Sequence, residues 1–503
     1  MSLWTYLYSA PIFGDGERSV MLAKTVIGLA VISYLSAVRA LRWRRFNAIH
    51  RKYESKYLQG DLSPEEAQEI IHTLCLYEMP MFMNFTIPFA LFKAYAIPTI
   101  SKILCDTKEL KSIEGRSKRN ADTEILISTW LFCPISGKSQ DSSFVESSDT
   151  NREEIDDPRA MIALSRVNWL HSKYPITNDD YLYVLGLLIF EPTIWGSYGW
   201  RALSPMESQA FYILWAEIGR RMGIRDIPES REAFRQWMEE YEYRAIAPAQ
   251  ENHDVATYSA EELLHAIPKR FGIKGFVERL AICTLEEDAR IAMVYVPISL
   301  LIKPLHTLFE TIFTQRILTT FLLCFPFASL IRLPSQPLYI HAIFKTILYT
   351  IGFIQRYLCL PRSQSNPGGV ILVPLDKASA SASTSTPSTP RTGPAPASTS
   401  APNAKLDGST RLQPGHLHRM HPNWFQARPW YMPEPTGILG KLKNQASLTF
   451  GLYDALPSAR LRSEGYRLEE MGPVRYEKHG HEEVMRKAEE MYGCPITGPF
   501  SRN

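Results

Sequence analysis

The sequence predicts an all-α protein with a single N-terminal transmembrane helix. One apolar run near the N-terminus is about long enough to cross a membrane, and most of residues 46–290 carry apolar side chains at three- and four-residue spacing. No series of alternating apolar and polar residues indicates strands. These three observations together favour a helical body on a membrane anchor.

The composition is that of a globular protein, with 45% hydrophobic and 21% charged residues in a chain of 503. The formal net charge of +3 is small, so it gives no reason to expect nucleic acid as a partner. The 7 cysteines are scattered, and none forms a C-x-x-C pair. We therefore do not expect a disulfide framework or a structural zinc site. We expect reduced thiols on the cytosolic side of a membrane.

The apolar run covers residues 20–41. Lys24 and Arg39 interrupt it only near its two ends, where long cationic side chains can reach the lipid headgroups. A cleaved signal peptide is the alternative, and it would carry positive charge before its apolar run. Here Asp15, Glu17 and Arg18 precede the run, and the basic cluster follows it instead, which favours an anchor that stays in the chain.

The charges beside this run predict its orientation. A basic cluster follows it, consisting of Arg39, Arg42, Arg44, Arg45, Arg51 and Lys52. By the positive-inside rule the N-terminus is lumenal and the body of the protein is cytosolic. We therefore assign residues 1–45 to the lumenal N-terminus and the transmembrane anchor. The formal glycosylation sequon at Asn84 is then expected to face the cytosol and to remain unused.

Residues 46–361 are predicted to form the main helical domain. Ser63, followed by proline and then by Glu66 three residues on, is a capping box that begins one helix. The further helical segments are 79–106, 119–132, 159–174, 179–190, 204–222, 229–245 and 254–266.

The last part of this domain, residues 291–361, is strongly apolar and is predicted to lie near the membrane. Its runs 317–331 and 338–354 are short and interrupted, which favours buried helices or segments in the membrane interface over two more spans. Residues 362–410 are rich in Ser, Thr, Pro and Ala and are predicted to be a disordered linker. Residues 411–503 are predicted to be a C-terminal extension that packs on the helical domain.

His171 is the first candidate ligand. It lies beside an apolar stripe at helical spacing, made by Met161, Leu164, Val167 and Leu170. A buried imidazole must be hydrogen-bonded or bound to a ligand, and a lone histidine is more often a satisfied core residue. Arg166 precedes it by five residues, which places the two about 140° apart around a helix, so both need not face one ligand.

A second candidate cluster consists of Arg119, Asp122 and Thr123. Spacings of three and four place these side chains on one helix face, where they can form a polar cluster. The alternative is a solvated helix start with an Arg–Asp pair. The sequence contains no P-loop, dinucleotide-binding glycine motif, zinc-protease motif or serine-hydrolase motif. The histidines near the linker lack an accompanying carboxylate or cysteine, which favours solvated loop residues over a metal site.

Taken in order, these segments resemble the fungal ER-bound oxygenase family (MpaB-type), which is related to the bacterial rubber oxygenase called latex-clearing protein. The resemblance covers most of residues 70–300 and parts of the C-terminal region. It is carried by RNADTE (119–124), RVNWLHSKY (166–174), YLYVLGLLIFEP (181–192), LWAEIGRRMGI (214–224), PWYMPEP (429–435) and GYRLEEMGPVRYEKHG (465–480).

The resemblance implies an all-α fold that holds haem b and uses dioxygen as co-substrate. It implies that His171 is the proximal iron ligand, and that Arg119 and Thr123 form the distal polar face. Rubber oxygenases carry a lysine between these two, whereas this chain has Asp122. Asp122 is therefore a candidate catalytic residue, with a simple pair to Arg119 as the alternative. Arg166 is expected to support the cofactor by pairing with a haem propionate.

The predicted function is that of an oxygenase anchored by one span in the endoplasmic reticulum membrane, with its catalytic domain in the cytosol. Such an enzyme would cleave a C=C bond of, or otherwise oxidise, a lipophilic, isoprenoid-like metabolite in fungal secondary metabolism. Its expected partners are that small molecule and membrane lipid. A non-catalytic membrane adaptor that keeps the fold without haem is the alternative.

Overall fold

The computed structural model describes residues 15–139, 155–267, 273–283, 285–293, 338–363, 371–374, 418–421, 426–435, 437–497 and 500–502. Its regular structure is almost entirely helical, so the predicted fold class is confirmed. The helices are α1 Asp15–Arg42, α2 Arg44–Gln59, α3 Pro64–His72, α4 Pro80–Ala94, α5 Pro98–Thr107, α6 Ile113–Phe132, α7 Arg159–His171, α8 Asn178–Gly196, α9 Pro205–Arg221, α10 Arg231–Ala245, α11 Gln250–Leu263, α12 Ile273–Cys283, α13 Glu287–Met293, α14 Leu338–Tyr357, α15 Ile438–Thr449 and α16 His481–Tyr492.

Two short antiparallel ladders accompany the helices. Strand β1, Lys138–Ser139, pairs with β2, Ile155–Asp156. Strand β3, Ile371–Pro374, pairs with β4, His418–His421. The second ladder shows that a few residues of the predicted linker 362–410 form a strand, because they find a hydrogen-bonding partner beyond it. The rest of that linker, apart from residues 362 and 363, lies outside the described residues.

Local sequence accounts for several helix starts. The Ser63 hydroxyl accepts the Glu66 amide at 3.3 Å, while the Glu66 carboxylate accepts the Ser63 amide at 3.1 Å, so the predicted capping box is present. Ser204 and Glu207 repeat the arrangement at the start of α9, with distances of 3.2 and 2.8 Å. Each pair satisfies amides that the helix itself leaves unpaired.

One large hydrophobic core joins the helices of the body. In it α4 packs along α8, α9 packs against α3 and α8, and α7 lies between α6 and the C-terminal α16. The C-terminal region adds buried side chains to the same core, among them Trp430, Tyr431, Met471 and Phe500. The described part of the C-terminal extension therefore belongs to the wall of the helical domain.

The N-terminal helices carry the candidate membrane span. Within the described ranges, the stretch Ser19–Gln59, which covers most of α1 and all of α2, is the one that is by itself long and apolar enough to cross a membrane. None of its most apolar window is buried. A second candidate, Pro64–Glu78 with Pro80–Ala94, passes only as a pair bent by 114°. Both members of this pair contribute to the core, through residues such as Leu74 and Phe82.

Helix α14 contains the predicted apolar run 338–354, whereas run 317–331 lies outside the described residues. The Gln355 side-chain amide donates to the Glu78 carbonyl at 2.8 Å, and Tyr34 of α1 donates to the Leu358 carbonyl at 2.8 Å. One face of α14 thus contacts the body and the anchor helix, while its side chains Ile347 and Phe353 are exposed. That this segment lies near the membrane stays a prediction.

Candidate functional site

A pocket of about 280 Å³ lies between helices α4, α5, α6, α7, α8 and α9, with the C-terminal Gly472 and Pro473 on its wall. Most of its lining is apolar, from residues such as Leu126, Val167 and Leu188. The structure brings four of the five predicted site residues to this pocket, namely Arg119, Asp122, Thr123 and His171. The fifth, Arg166, is not part of the lining.

His171 is the last residue of α7, and its ring lies 5.6 Å from the ring of Tyr181. Its Nδ1 atom is buried and has no hydrogen-bond partner, and Nε2 also has none among the residues that the structure describes. Burial, together with a smaller effect of the nearby Arg119 cation, lowers the pKa of the imidazole to about 4. At neutral pH the ring is therefore uncharged, with a lone pair available for a ligand.

His72 shows what a satisfied core histidine looks like in this protein. Burial lowers the pKa of His72 to about 4 as well, but its Nε2 atom lies 2.7 Å from the Leu131 carbonyl oxygen. An imidazole without such a partner leaves a buried polar group unpaired, at a cost of about 1–3 kcal/mol. The contrast favours a bound ligand at His171 over the satisfied core residue that the sequence also allowed.

Arg119 and Thr123 form the predicted polar pair on α6. The Arg119 Nη1 atom donates to the Thr123 hydroxyl at 3.0 Å, and that hydroxyl donates to the Arg119 carbonyl at 2.8 Å. The hydroxyl hydrogen of Thr123 is thus used within the helix. Thr123 therefore holds the guanidinium in position, and the other N–H donors of Arg119, which lines the pocket, have no partner among the described residues.

Asp122 does not pair with Arg119. Its side chain is 1% exposed, and it accepts from Lys118 at 2.9 Å, from the Tyr431 hydroxyl at 2.6 Å and from the Gly472 amide at 3.2 Å. The alternative prediction, in which Asp122 pairs with Arg119, is therefore wrong, because three other buried donors occupy the carboxylate. Asp122 connects α6 to the C-terminal wall of the pocket, which describes a positioning residue better than a catalytic one.

Arg166 is fully buried and also contacts the C-terminal region. Its guanidinium donates to the carbonyl oxygens of Met471, Tyr476 and His479 at 2.7, 2.8 and 2.8 Å. All three nitrogen atoms are used in this way, and the residue lies outside the pocket lining. The geometry does not support the predicted pairing with a propionate, because the donors point to backbone carbonyls instead.

Sequence reasoning missed several residues of the site. Tyr181 lies against His171, and burial raises the pKa of its hydroxyl to about 12, so this phenol stays neutral. Tyr95 lines the pocket from the loop after α4. Tyr431 and Gly472 occur in segments that carried the resemblance, but nothing local in those segments indicates that they contact α6.

The donor set fits a cofactor that brings most of its own metal ligands. No group of three or more His, Cys, Asp or Glu side chains that could hold a metal ion occurs among the described residues. A single neutral imidazole in an apolar pocket cannot hold a bare ion, but it can supply the axial ligand of a haem iron. His171 and the pocket around it therefore fit haem b.

Comparisons with known proteins show that this chain is similar to a family of oxygenases. Residues 167–297 match the family described as "ER-bound oxygenase mpaB/B'/Rubber oxygenase, catalytic domain". The ER-bound oxygenase mpaB of Penicillium roqueforti (strain FM164) is 28% identical over 320 residues, which are 59% of this chain and the whole of that protein. The ER-bound oxygenase mpaB' of Penicillium brevicompactum is 30% identical over 258 residues, which are 48% of this chain and 56% of that protein. No solved structure gives a significant match.

These matches confirm the family resemblance that the sequence motifs indicated. The matched region 167–297 begins within α7 and includes His171, whereas Arg119, Asp122 and Thr123 precede it. The relatives are named ER-bound oxygenases, so the matches support oxygenase chemistry and membrane attachment in general terms.

Proposed function

We propose that the chain is a membrane-anchored, haem-dependent oxygenase that cleaves a C=C bond of, or otherwise oxidises, a lipophilic, isoprenoid-like metabolite in secondary metabolism. The observation that carries the proposal is His171. It is a neutral, unpartnered imidazole in an apolar pocket, beside an arginine with free donors. The oxygenase names of the relatives support the reaction class.

His171 would hold haem b through one ring nitrogen. Its depressed pKa keeps the ring neutral, so no proton competes with the metal at physiological pH. Haem b, when bound, supplies an iron that activates dioxygen. An imidazole ligand usually donates its second N–H to a carbonyl or carboxylate. His171 has no such partner in the described part of the chain, so its basicity would not be raised by a carboxylate.

Arg119 would stabilise negative charge that develops on an oxygen atom of a reactant in the pocket. Its guanidinium is held by Thr123, so little reorganisation is needed when charge appears. Leu126, Val167 and Leu188 exclude water around it, which strengthens this electrostatic interaction. Asp122 and Arg166 act indirectly, because they fix the C-terminal segment that closes the pocket.

The apolar lining and the anchor helix suit a substrate that partitions into a bilayer. A single span at the N-terminus would hold the catalytic domain on the cytosolic face of the endoplasmic reticulum, as the basic residues after the apolar run predict. Dioxygen and the lipophilic substrate could then both be drawn from the membrane, where apolar molecules concentrate.

The absorption spectrum of detergent-purified protein tests the proposal. We expect a Soret band in the wild type, and its loss in His171→Ala with the helical circular dichroism retained. His72→Ala is the matched control, because that histidine is equally buried but bound to a carbonyl, so the Soret band should remain. A colourless, folded wild type after haem supplementation would contradict the proposal and favour a non-catalytic membrane adaptor.

A further inference from the structure

A second cavity of about 120 Å³ lies beside the candidate haem pocket, between α4, α6 and the end of α11. Leu91, Tyr95, Asn120, Thr123 and Ile127 line both cavities. The two cavities therefore adjoin along these five side chains. One of them, Thr123, positions Arg119.

Gln426 lines the second cavity, and the proposed oxygenase chemistry assigns no role to it. The residue is 2% exposed, and neither its Oε1 nor its Nε2 atom has a hydrogen-bond partner among the described residues. Burial of an unpaired amide is costly, since both its donor and its acceptor lose water without replacement. An amide in this situation indicates that a ligand completes its hydrogen bonds.

Gln68 shows the ordinary condition of a buried glutamine in the same core. Its Nε2 atom donates to the Leu131 and Cys133 carbonyls at 3.0 and 2.8 Å, and its Oε1 atom accepts the Ile135 amide at 3.0 Å. Gln68 thus joins α3 to the end of α6 and the loop that follows it. Gln426 makes no comparable contact, so a purely structural role does not account for it.

The other lining residues limit the charge of the ligand. In the described wall of the second cavity there is no lysine or arginine, and Glu124 is its one carboxylate. Burial raises the pKa of the Cys75 thiol to about 12, so this thiol is uncharged at neutral pH. An anionic group would be desolvated there without a cation. A neutral group that can form hydrogen bonds is compatible with the glutamine amide.

We propose that the second cavity binds a neutral polar group, such as a ketone, ester or hydroxyl, at one end of a lipophilic molecule, and that Gln426 recognises this group. The apolar chain of the molecule extends past Tyr95 and Thr123 toward the first pocket. That this molecule is the substrate rests on the proposed oxygenase function, whereas its binding at Gln426 does not require haem.

Equilibrium dialysis of the detergent-purified full chain tests this recognition. The probes are dodecan-2-one, dodecane and dodecanoate, and protein-free micelles correct for partition into detergent. Wild type should bind the ketone about tenfold more tightly than the alkane, the value of one net hydrogen bond. In Gln426→Leu this ratio should fall to about one, because leucine offers neither donor nor acceptor.

Two further variants make the result decisive. His171→Ala should keep the ketone preference, so that loss of haem and loss of Gln426 recognition are distinguished. Gln426→Leu should keep the Tm of the wild type, because no protein hydrogen bond is lost, whereas Gln68→Leu should lower it. The proposal would be overturned if Gln426→Leu kept the preference for the ketone, or if dodecanoate bound most tightly of the three probes. It would also be overturned if Gln426→Leu lowered the Tm as much as Gln68→Leu does.

Discussion

A buried ionic cluster between α4, α8 and α10 illustrates how single residues set the pH response of the protein. The Lys93 ammonium lies 2.9 Å from Glu286, 3.2 Å from Glu242 and 3.8 Å from Glu191. Three carboxylates thus surround one cation. Burial raises the pKa of Glu191 to about 7, partly opposed by Lys93. Near neutral pH, Glu191 therefore exchanges a proton that it would not hold in the unfolded chain.

This raised pKa predicts a fall in stability as the pH rises. Between about pH 4.5 and 7, Glu191 holds its proton in the folded state but has released it in the unfolded state. The contribution of this proton to the free energy of unfolding is therefore fully present below about pH 4.5 and disappears as the pH rises through about 7. The loss should be on the order of 2 kcal/mol, and Glu191→Gln should remove it. Urea unfolding in detergent at pH 5 and pH 8 measures the difference.

Glu54→Gln is the control for this experiment, because Glu54 is exposed and lies outside the cluster. It should leave the pH dependence of the wild type unchanged. An unaltered pH dependence in Glu191→Gln would show that another group carries the effect.

At the scale of elements, the C-terminal segment 465–480 is a wall of the candidate site. Three carbonyls of this segment accept from Arg166 on α7, and Gly472 contacts both Lys118 and Asp122 of α6. Gly472 has a φ of 121°, and a Cβ atom there would lie 2.8 Å from the Leu170 side chain. A glycine is needed because a φ of 121° is a backbone conformation that L side chains rarely adopt. The segment closes the pocket through a polar network that is almost completely buried.

Replacement of Arg166 tests this attachment. Arg166→Lys keeps the positive charge but loses the planar fork, so one ammonium cannot satisfy three carbonyls in separate directions. We expect a loss of stability of roughly 3 kcal/mol from carbonyls left unpaired, and faster hydrogen exchange in residues 465–480. Differential scanning fluorimetry and hydrogen–deuterium exchange measure the two effects.

Arg460→Lys is the comparison, since the Arg460 side chain is 78% exposed in its pair with Glu114. Its effect on stability should stay below about 0.5 kcal/mol. Equal effects of the two replacements would contradict the role assigned to Arg166.

At the scale of the whole molecule, two helices present apolar surface beside each other. Helix α1 exposes residues such as Ile27 and Ile32, at 63% and 62%. Helix α14 exposes Phe353 at 57%, and its C-terminal end meets α1 through the Tyr34 hydroxyl. Exposed apolar side chains in this density are costly in water and favourable in lipid. Under the proposed membrane anchoring, α1 would span the bilayer and α14 would offer it a second apolar face.

Removal of the anchor tests this arrangement. Deletion of residues 1–33 spares the buried Val38 and Arg42, so the body should remain folded and should move largely to the soluble fraction after a carbonate wash. The full-length variant with Ile347→Ser and Phe353→Ser should stay with the membrane. If the shortened chain is retained and is released only by these two changes, α14 provides an independent attachment.

Much of the fold could be predicted because its signals are local. The Ser63–Glu66 capping box, the helical segments and the apolar run before Arg42 depend on spacings of a few residues. The same locality made the Arg119–Thr123 pair predictable, since its members are four residues apart on one helix. The family resemblance added the role of His171, which spacing alone left open.

The sequence by itself thus determined the helices, the candidate membrane span and the identity of the polar residues near the pocket. Only the tertiary structure decided their partners. Asp122 binds Tyr431, 309 positions away, and Arg166 binds carbonyls more than 300 positions away. No local pattern encodes such contacts, because they depend on how distant segments pack. The absence of partners at His171 and Gln426 within the described residues is also a property of the packed core, and it is what makes these two residues candidates for binding.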